Sequence, residues 1–289
     1  MPDELPDWFL RDDSSNRADT LIAGPYLGEF GFELMLWQGY VRRLRRHYSR
    51  TIVVSYAHSG YLYEGCEFVS HGLSLAQSGY GIGKTPEALL VAAGTAFAQE
   101  NGIGAYDQLT GPLIRRRQRL LGWSLDGQDF LVFHEPVSEE RRYDVVFHFR
   151  SFVRVGPVVE DKNYPADAAE FLVQECRRLG YSVACVGHPE LSSCPQGAVD
   201  ERFVDLRETV RVISNARLVV GGSSGAMHLA SLCARPIVVW IGPPVGIDIY
   251  LTHWNPHRSP VYVVSDRTFQ PPPVDVLGVI EKAIAGLRA

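Results

Sequence analysis

The stretch of this chain richest in usable chemistry is RLVVGGSSGAMHLASLCARPIVVWIGPP, residues 217–244. An apolar, β-branched run ends in Gly221-Gly222, a turn of small residues follows, and a helix opens at about Ser224. The unsatisfied backbone N–H groups of a helix start attract anions, and glycines let a ligand come close to them. His228 lies one turn into that helix, where its ring could reach the same anion. The letters GGSSG also fit G-x-S-x-G, the strand-to-helix turn that exposes a nucleophilic serine. In that reading Ser223 would act with Asp248 and His253 or His257, although no glycine-rich oxyanion loop precedes it. A second string, GYGIGKTP at 79–86, resembles a phosphate loop but carries Ser78 where the first glycine belongs. The sequence contains no H-E-x-x-H, no zinc-ligand spacing and no D-x-D triplet.

These residues need elements to position them. TLIAGP from Thr20 reads as a buried strand, and GEFGFELMLWQGYVRRLRRHY as a helix with Phe32, Met35, Leu36, Tyr40 and Leu44 at three- and four-residue steps. TIVVSY is a second strand, and PEALLVAAGTAFAQE a helix within the glycine-rich region 58–128. DFLVFHEPVSEERR, with Pro136, reads as a linker. In the second half YDVVFHFR, YSVACVG, RLVVGG, RPIVVWIGP and PVYVVS are strands. They alternate with helices at PADAAEFLVQECRRLG, ETVRVISNA, SGAMHLASLCA and PPPVDVLGVIEKAIAGLRA. Such alternation predicts an α/β protein with parallel sheets covered by helices on both faces. The expected organisation is an acidic leader at 1–19 and two Rossmann-like domains at 20–136 and 137–289, with a cleft between them. Ligands in such sheets bind beyond the carboxyl ends of the strands.

With 46% hydrophobic and 21% charged residues over 289 positions, the chain is too apolar to be disordered. Its net charge of −5 gives no bulk argument for nucleic acid or an anionic membrane, and the first twenty residues alone carry −4. The bases of RRLRRHYSR and RRRQR read as solvated faces, and leave open a polyanionic acceptor. The five cysteines (Cys66, Cys176, Cys185, Cys194, Cys233) are odd in number and form no C-x-x-C pair, as expected of reduced thiols in a cytosolic protein. No signal peptide or membrane-length apolar run is present, so the expectation is a soluble, cytoplasmic protein.

The string around Ser224 resembles the C-terminal D-S-G-x-x-H-x-A motif of the heptosyltransferase-like glycosyltransferases (the ADP-heptose:lipopolysaccharide group). Lys162-Asn163-Tyr164-Pro165 is similar to the family's K-x-W-P, and Asp205-Leu206-Arg207 to its D-L-x-G. Gly187-His188-Pro189-Glu190 follows a strand where the family's nucleoside contacts lie. The resemblance covers roughly residues 20–289 and implies the two-Rossmann GT-B fold, with a nucleotide-diphosphate sugar in the C-terminal domain. It assigns Arg150, Arg154, Lys162, His188, Glu190, Ser223, Ser224, Gly225, Met227 and His228 to the donor. Lys162 and the two arginines suit a diphosphate whose negative charge grows as the glycosidic bond breaks. Ser223 stands where the family has an acid.

Similar enzymes carry a catalytic Asp after a glycine between the first strand and helix, a position that Glu29 matches after Gly28. An inverting transfer needs one carboxylate to take the acceptor's proton, with Glu29 the first choice and Glu33 the second. Gly28, Phe30 and Trp37 are the expected acceptor contacts. The implied reaction is inverting and metal-independent, needs no cofactor beyond its nucleotide-sugar co-substrate, and glycosylates a saccharide or small molecule. Transfer to a hydroxymethylated base in DNA, nucleotide-sugar epimerisation, a non-catalytic sugar-nucleotide binder and the Ser223 hydrolase remain as alternatives.

Overall fold

The computed structural model describes residues 5–10, 17–72, 85–122, 125–151, 162–242 and 245–287, with backbone alone for 245 and 246. Arg154, the glycine string at 79–84 and Pro243-Pro244 lie outside the described residues. The chain divides into two compact units, Met1–Phe130 and Leu131–Ala289.

The first unit holds β1 (Thr20–Ala23), β2 (Arg50–Ser55), β3 (Glu67–Ser70) and β4 (Tyr106–Leu109) in one parallel sheet, ordered β3-β2-β1-β4. All four residues of β1 are buried, which explains why its sequence is an apolar run rather than an alternation. A short helix α1 (Asp7–Leu10) precedes the sheet. The helix expected after β1 begins as α2 (Phe30–Phe32), widens into a π-helical turn at Glu33–Trp37, and continues as α3 (Gln38–Leu44). All five residues of the π turn are buried, so this segment is enclosed on every side. α4 (Glu87–Glu100) and α5 (Gly111–Leu121) flank β4 in sequence. At the start of α5, Thr110 Oγ1 accepts the Leu113 amide at 3.4 Å, and Pro112 stands where no N–H is needed. The basic string RRRQR therefore lies on a helix.

The second unit contains β5 (Val145–Arg150), α6 (Ala166–Arg178), β6 (Val183–Gly187), β7 (Ser192–Ser193) and β8 (Val199–Arg202). It continues with α7 (Leu206–Ser214), β9 (Leu218–Gly222), α8 (Gly225–Leu232), β10 (Ile237–Ile241), α9 (Val245–Asp248), a π turn at Ile249–His253, β11 (Val261–Ser265) and α10 (Pro273–Gly286). The six parallel strands run β11-β10-β9-β5-β6-β8, and β7 adds antiparallel to the end of β5. In chain order that is the 3-2-1-4-5-6 arrangement of a dinucleotide fold, whose direction of winding reverses between β5 and β9. One face is sealed by α6 and α10: Leu172, Val173, Cys176, Val276, Ile280 and Ile284 pack against Val145, Phe147, Val220, Val238 and Trp240. Asp205 caps α7, its carboxylate accepting the Arg207 amide at 2.9 Å. Among the described residues no helix is long and apolar enough to cross a membrane.

Candidate functional site

The winding reversal of the second unit opens at the carboxyl ends of β5 and β9, where His148 pairs in register with Gly221. Beyond β9, Ser224 is extended (φ −159°, ψ 171°) and starts α8, yet its hydroxyl does not cap its own helix. It instead lies 3.0 Å from Nδ1 of His148. The first-turn amides of Gly225 and Ala226 thus receive no cap from Ser224, and residues 222–226 are part-exposed beside them. Two glycines are required by close approach. A Cβ on Gly221 would come within 2.8 Å of the His148 carbonyl oxygen, and one on Gly222 within 2.7 Å of Trp240 Nε1.

Two imidazoles face this turn region in neutral form. Burial, helped by the charge of Arg150, pushes His148 down to about 4. Burial again, with Lys162 adding to it, pushes His228 down to about 3. His228 is 5% exposed and stacks on Tyr250 at 5.2 Å between ring centroids, with Trp254 edge-on at 4.5 Å. Its Nδ1 is buried and has no hydrogen-bond partner. A neutral buried nitrogen without a partner costs roughly 1–3 kcal/mol, a cost that a bound polar ligand would offset. Lys162 places its ammonium 4.7 Å above the Phe269 ring, immediately before α6.

The remaining expected donor residues divide. Ser223 accepts a hydrogen bond from the Tyr250 hydroxyl at 3.3 Å. Met227 is buried against Gly221, so its side chain serves the core while its amide bonds Ser224 O at 3.1 Å. His188 is half-buried and accepts the Glu190 amide on Nδ1 at 3.2 Å, leaving the Glu190 carboxylate on an exposed residue. Tyr164, in the K-x-W-P-like string, belongs to the core, its ring tilted against Trp240 at 4.6 Å between centroids. For a hydrolase the relevant pairs are clear. Ser223 meets Tyr250, the serine beside an imidazole is Ser224, and His257 lies 3.2 Å from the Leu131 carbonyl.

In the first unit Glu29 starts α2 at the carboxyl end of β1, its carboxylate not used as a cap. Its carbonyl accepts the Tyr26 hydroxyl at 2.6 Å, and the amides of Phe32 and Glu33 at 3.1 Å each. Gly28 must be glycine, since a Cβ there would lie 2.5 Å from the Tyr26 hydroxyl. Phe30 is half-buried and meets His58 edge-on at 5.2 Å. Glu33 is wholly buried. Ser55 and Tyr63 donate to its Oε1 at 2.5 and 2.9 Å, and Ser59 to its Oε2 at 2.7 Å, which leaves it a structural hub rather than a group facing an acceptor. Trp37 corrects the expectation of an acceptor contact. It is 0% exposed, with Tyr26 packed on it at 5.1 Å, in a turn whose five residues are all buried.

Sequence reasoning placed none of His148, Tyr250 and Trp254 at this turn. A histidine inside the apolar run VVFHFR was the available signal for the first; nothing local marked the other two. Among the described residues no group of three or more His, Cys, Asp or Glu side chains is arranged to hold a metal.

Two parallel sheets with helices make the two-domain glycosyltransferase fold (GT-B) that the sequence resemblance implied. The chain is similar over 94% of its length to the glycosyl transferase family 9 protein of Veillonella parvula (TM-score 0.58, 13% identity, 100% of that chain). It is similar to the same extent to the E. coli ADP-heptose lps heptosyltransferase II (TM-score 0.56, 16% identity, 100% of that chain). The iron-containing dodecameric glycosyltransferase TibC of enterotoxigenic E. coli matches at TM-score 0.54 and 16% identity over 76% of its chain. No family model matches the sequence, and neither does any curated protein.

Proposed function

We propose that the protein is a glycosyltransferase that moves a sugar from a nucleotide-diphosphate donor to an acceptor hydroxyl with inversion and without a metal. The observation that carries this reading is the turn at Ser224. A helix start without its own cap, a serine hydroxyl engaged by a neutral imidazole, and an unpartnered buried nitrogen on His228 lie at the winding reversal of a dinucleotide-type sheet. That set suits a diphosphate. The amides of Gly225 and Ala226 and the Ser224 hydroxyl would hold its oxygens, Lys162 and Arg150 would offset the charge that develops as the bond breaks, and His188 and Glu190 would meet the nucleoside. Arg154 belongs to the same expected set.

In the transfer, the acceptor oxygen forms a bond to the anomeric carbon while the bond from that carbon to phosphate oxygen breaks. The leaving nucleoside diphosphate takes the electron pair, and Glu29 takes the acceptor's proton. Gly28 and Phe30, on either side of Glu29 in the chain, would meet the acceptor. The acceptor class proposed is a saccharide or small molecule. One relative of this fold is named for ADP-heptose, so ADP-linked sugars are the first donors to try.

The test is a thermal-shift screen of nucleotide sugars, followed by product analysis with the best donor. A ligand at 100 times its dissociation constant raises stability by about 2.7 kcal/mol. Stabilisation that disappears in Ser224→Ala and His228→Ala supports the site. A donor that stabilises both variants as it does the parent, or no stabilising nucleotide sugar at all, refutes it.

A further inference from the structure

Thr110 and Asp205 cap the helices they precede, accepting the Leu113 and Arg207 amides at 3.4 and 2.9 Å. Ser224, of a residue type just as suited to capping, does not cap α8. Its Oγ is held instead at 3.0 Å from His148 Nδ1. The imidazole is fixed there by its surroundings. His148 pairs with Gly221 at the winding reversal, and a Cβ on Gly187 would lie 2.8 Å from its Cδ2. The backbone bonds of α8 begin at the Ser224 carbonyl, which accepts the Met227 and His228 amides at 3.1 and 3.2 Å. The Ala226 amide, which a capping serine would take, is left without that cap.

We propose that His148 is a positioning residue for the donor: its Nδ1–H donates to Ser224 Oγ, which keeps the hydroxyl off its own helix start and turns the hydroxyl proton toward a diphosphate oxygen. The inference rests on the reading of this turn as the diphosphate site. The direction of the bond is what matters. A serine has one O–H to donate. Given to Nδ1, it would leave the oxygen presenting only lone pairs to an anion, which repels them. With the proton on Nδ1, the serine accepts from the ring and donates to the phosphate. Burial, helped by Arg150, keeps the ring neutral down to about 4. The ring therefore carries a single N–H, and no charge of its own acts on the ligand. Arg150, two residues further along β5 and on the same face, supplies the charge.

The experiment uses the intact chain and inorganic pyrophosphate, which carries the diphosphate without a base. By calorimetry, Ser224→Ala and His148→Leu should each bind it about tenfold more weakly than the parent, the worth of one hydrogen bond. The double variant should bind no more weakly than either, because the effect of His148 passes through Ser224. His148→Asn, whose side-chain amide can donate from nearly the place of Nδ1, should recover most of what His148→Leu loses. Nitrogen NMR of the unaltered protein with labelled histidine, in saturating pyrophosphate, should find the His148 proton on Nδ1. The inference is overturned by parent affinity in His148→Leu, by losses that multiply to about a hundredfold in the double variant, or by a proton on Nε2. If the parent does not bind pyrophosphate, or Ser224→Ala binds it as the parent does, the diphosphate reading of the turn falls and this inference with it. The position of the proton decides the question even where a variant does not fold.

Discussion

Glu33 offers a stability measurement whose sign and size follow from its surroundings. Burial pushes its carboxyl up from 4.5 to about 7, while the hydroxyls of Ser55, Ser59 and Tyr63 pull the other way. The folded state therefore holds this proton more tightly than the unfolded chain. The resulting stability is complete below about pH 4.5 and is lost as the pH rises through about 7. At about 1.36 kcal/mol for each pH unit separating the two values, the loss is about 3 kcal/mol, or roughly two orders of magnitude in an opening equilibrium. Glu33→Gln removes the titration while keeping an oxygen to accept from the hydroxyls and an amide to donate. Native-state hydrogen exchange of Leu21–Ala23 and Ile52–Val54 reads the unit's opening, and comparing the two proteins at one pH cancels the intrinsic exchange rate. Between pH 5 and pH 8 the protection of Glu33→Gln relative to the parent should grow about 100-fold. A ratio that stays flat over this range refutes the reasoning, as does one that falls.

Glu29→Gln should lower turnover by about 10²–10⁴-fold with donor affinity kept, and a variant with normal turnover removes Glu29 as the base. Gly28→Ala should also lower turnover, because its Cβ would meet the Tyr26 hydroxyl that holds the Glu29 carbonyl; unchanged kinetics would show that the loop tolerates displacement. Ser224→Ala should weaken donor binding about tenfold by calorimetry, corresponding to roughly 1.5 kcal/mol for one hydrogen bond; equal affinity counts against the cradle. Ile280→Ala, wholly buried between α10 and the sheet, should cost about 2–5 kcal/mol in urea unfolding of the second unit, and a cost under about 1 kcal/mol would contradict its place in that core.

The elements legible in the sequence were those buried on both faces. RLVVGG, YSVACVG and TLIAGP announce themselves because a central parallel strand has no solvent side to encode. The strands that went unread are short and half-exposed: β3 is EFVS, β4 is YDQL and β8 is VDER, with charges or amides where an apolar run would be needed. At the site, the glycine-rich turn before α8 was readable because close approach demands Gly221 and Gly222. The partner of Ser224 was not. His148 is 76 residues away in sequence and reaches it only through the pairing of β5 with β9. Trp37 lies in the stretch read as a helix, but that reading cannot tell a face turned to ligand from a segment enclosed on every side, and all five residues of its turn are buried.

The positions of Glu29 and Ser224 follow from a single topological rule applied twice. In the first unit the order β3-β2-β1-β4 reverses its winding between β1 and β4, and the loop leaving β1 carries Gly28 and Glu29. In the second the reversal falls between β5 and β9, and the loop leaving β9 carries Ser223, Ser224 and Gly225. At a reversal the two following connections depart to opposite faces, so the carboxyl edge stays open and a helix start is left facing it. The chemistry placed there then differs by residue alone. In one unit the helix begins with a carboxylate that does not cap it, a group able to take a proton. In the other it begins with small neutral residues beside two uncharged imidazoles, a setting in which the helix N–H groups would meet an anion without a carboxylate to repel it. Ser223 fits that logic: an acid at its position would sit against the same helix start, whereas the serine is held by the Tyr250 hydroxyl and adds no charge.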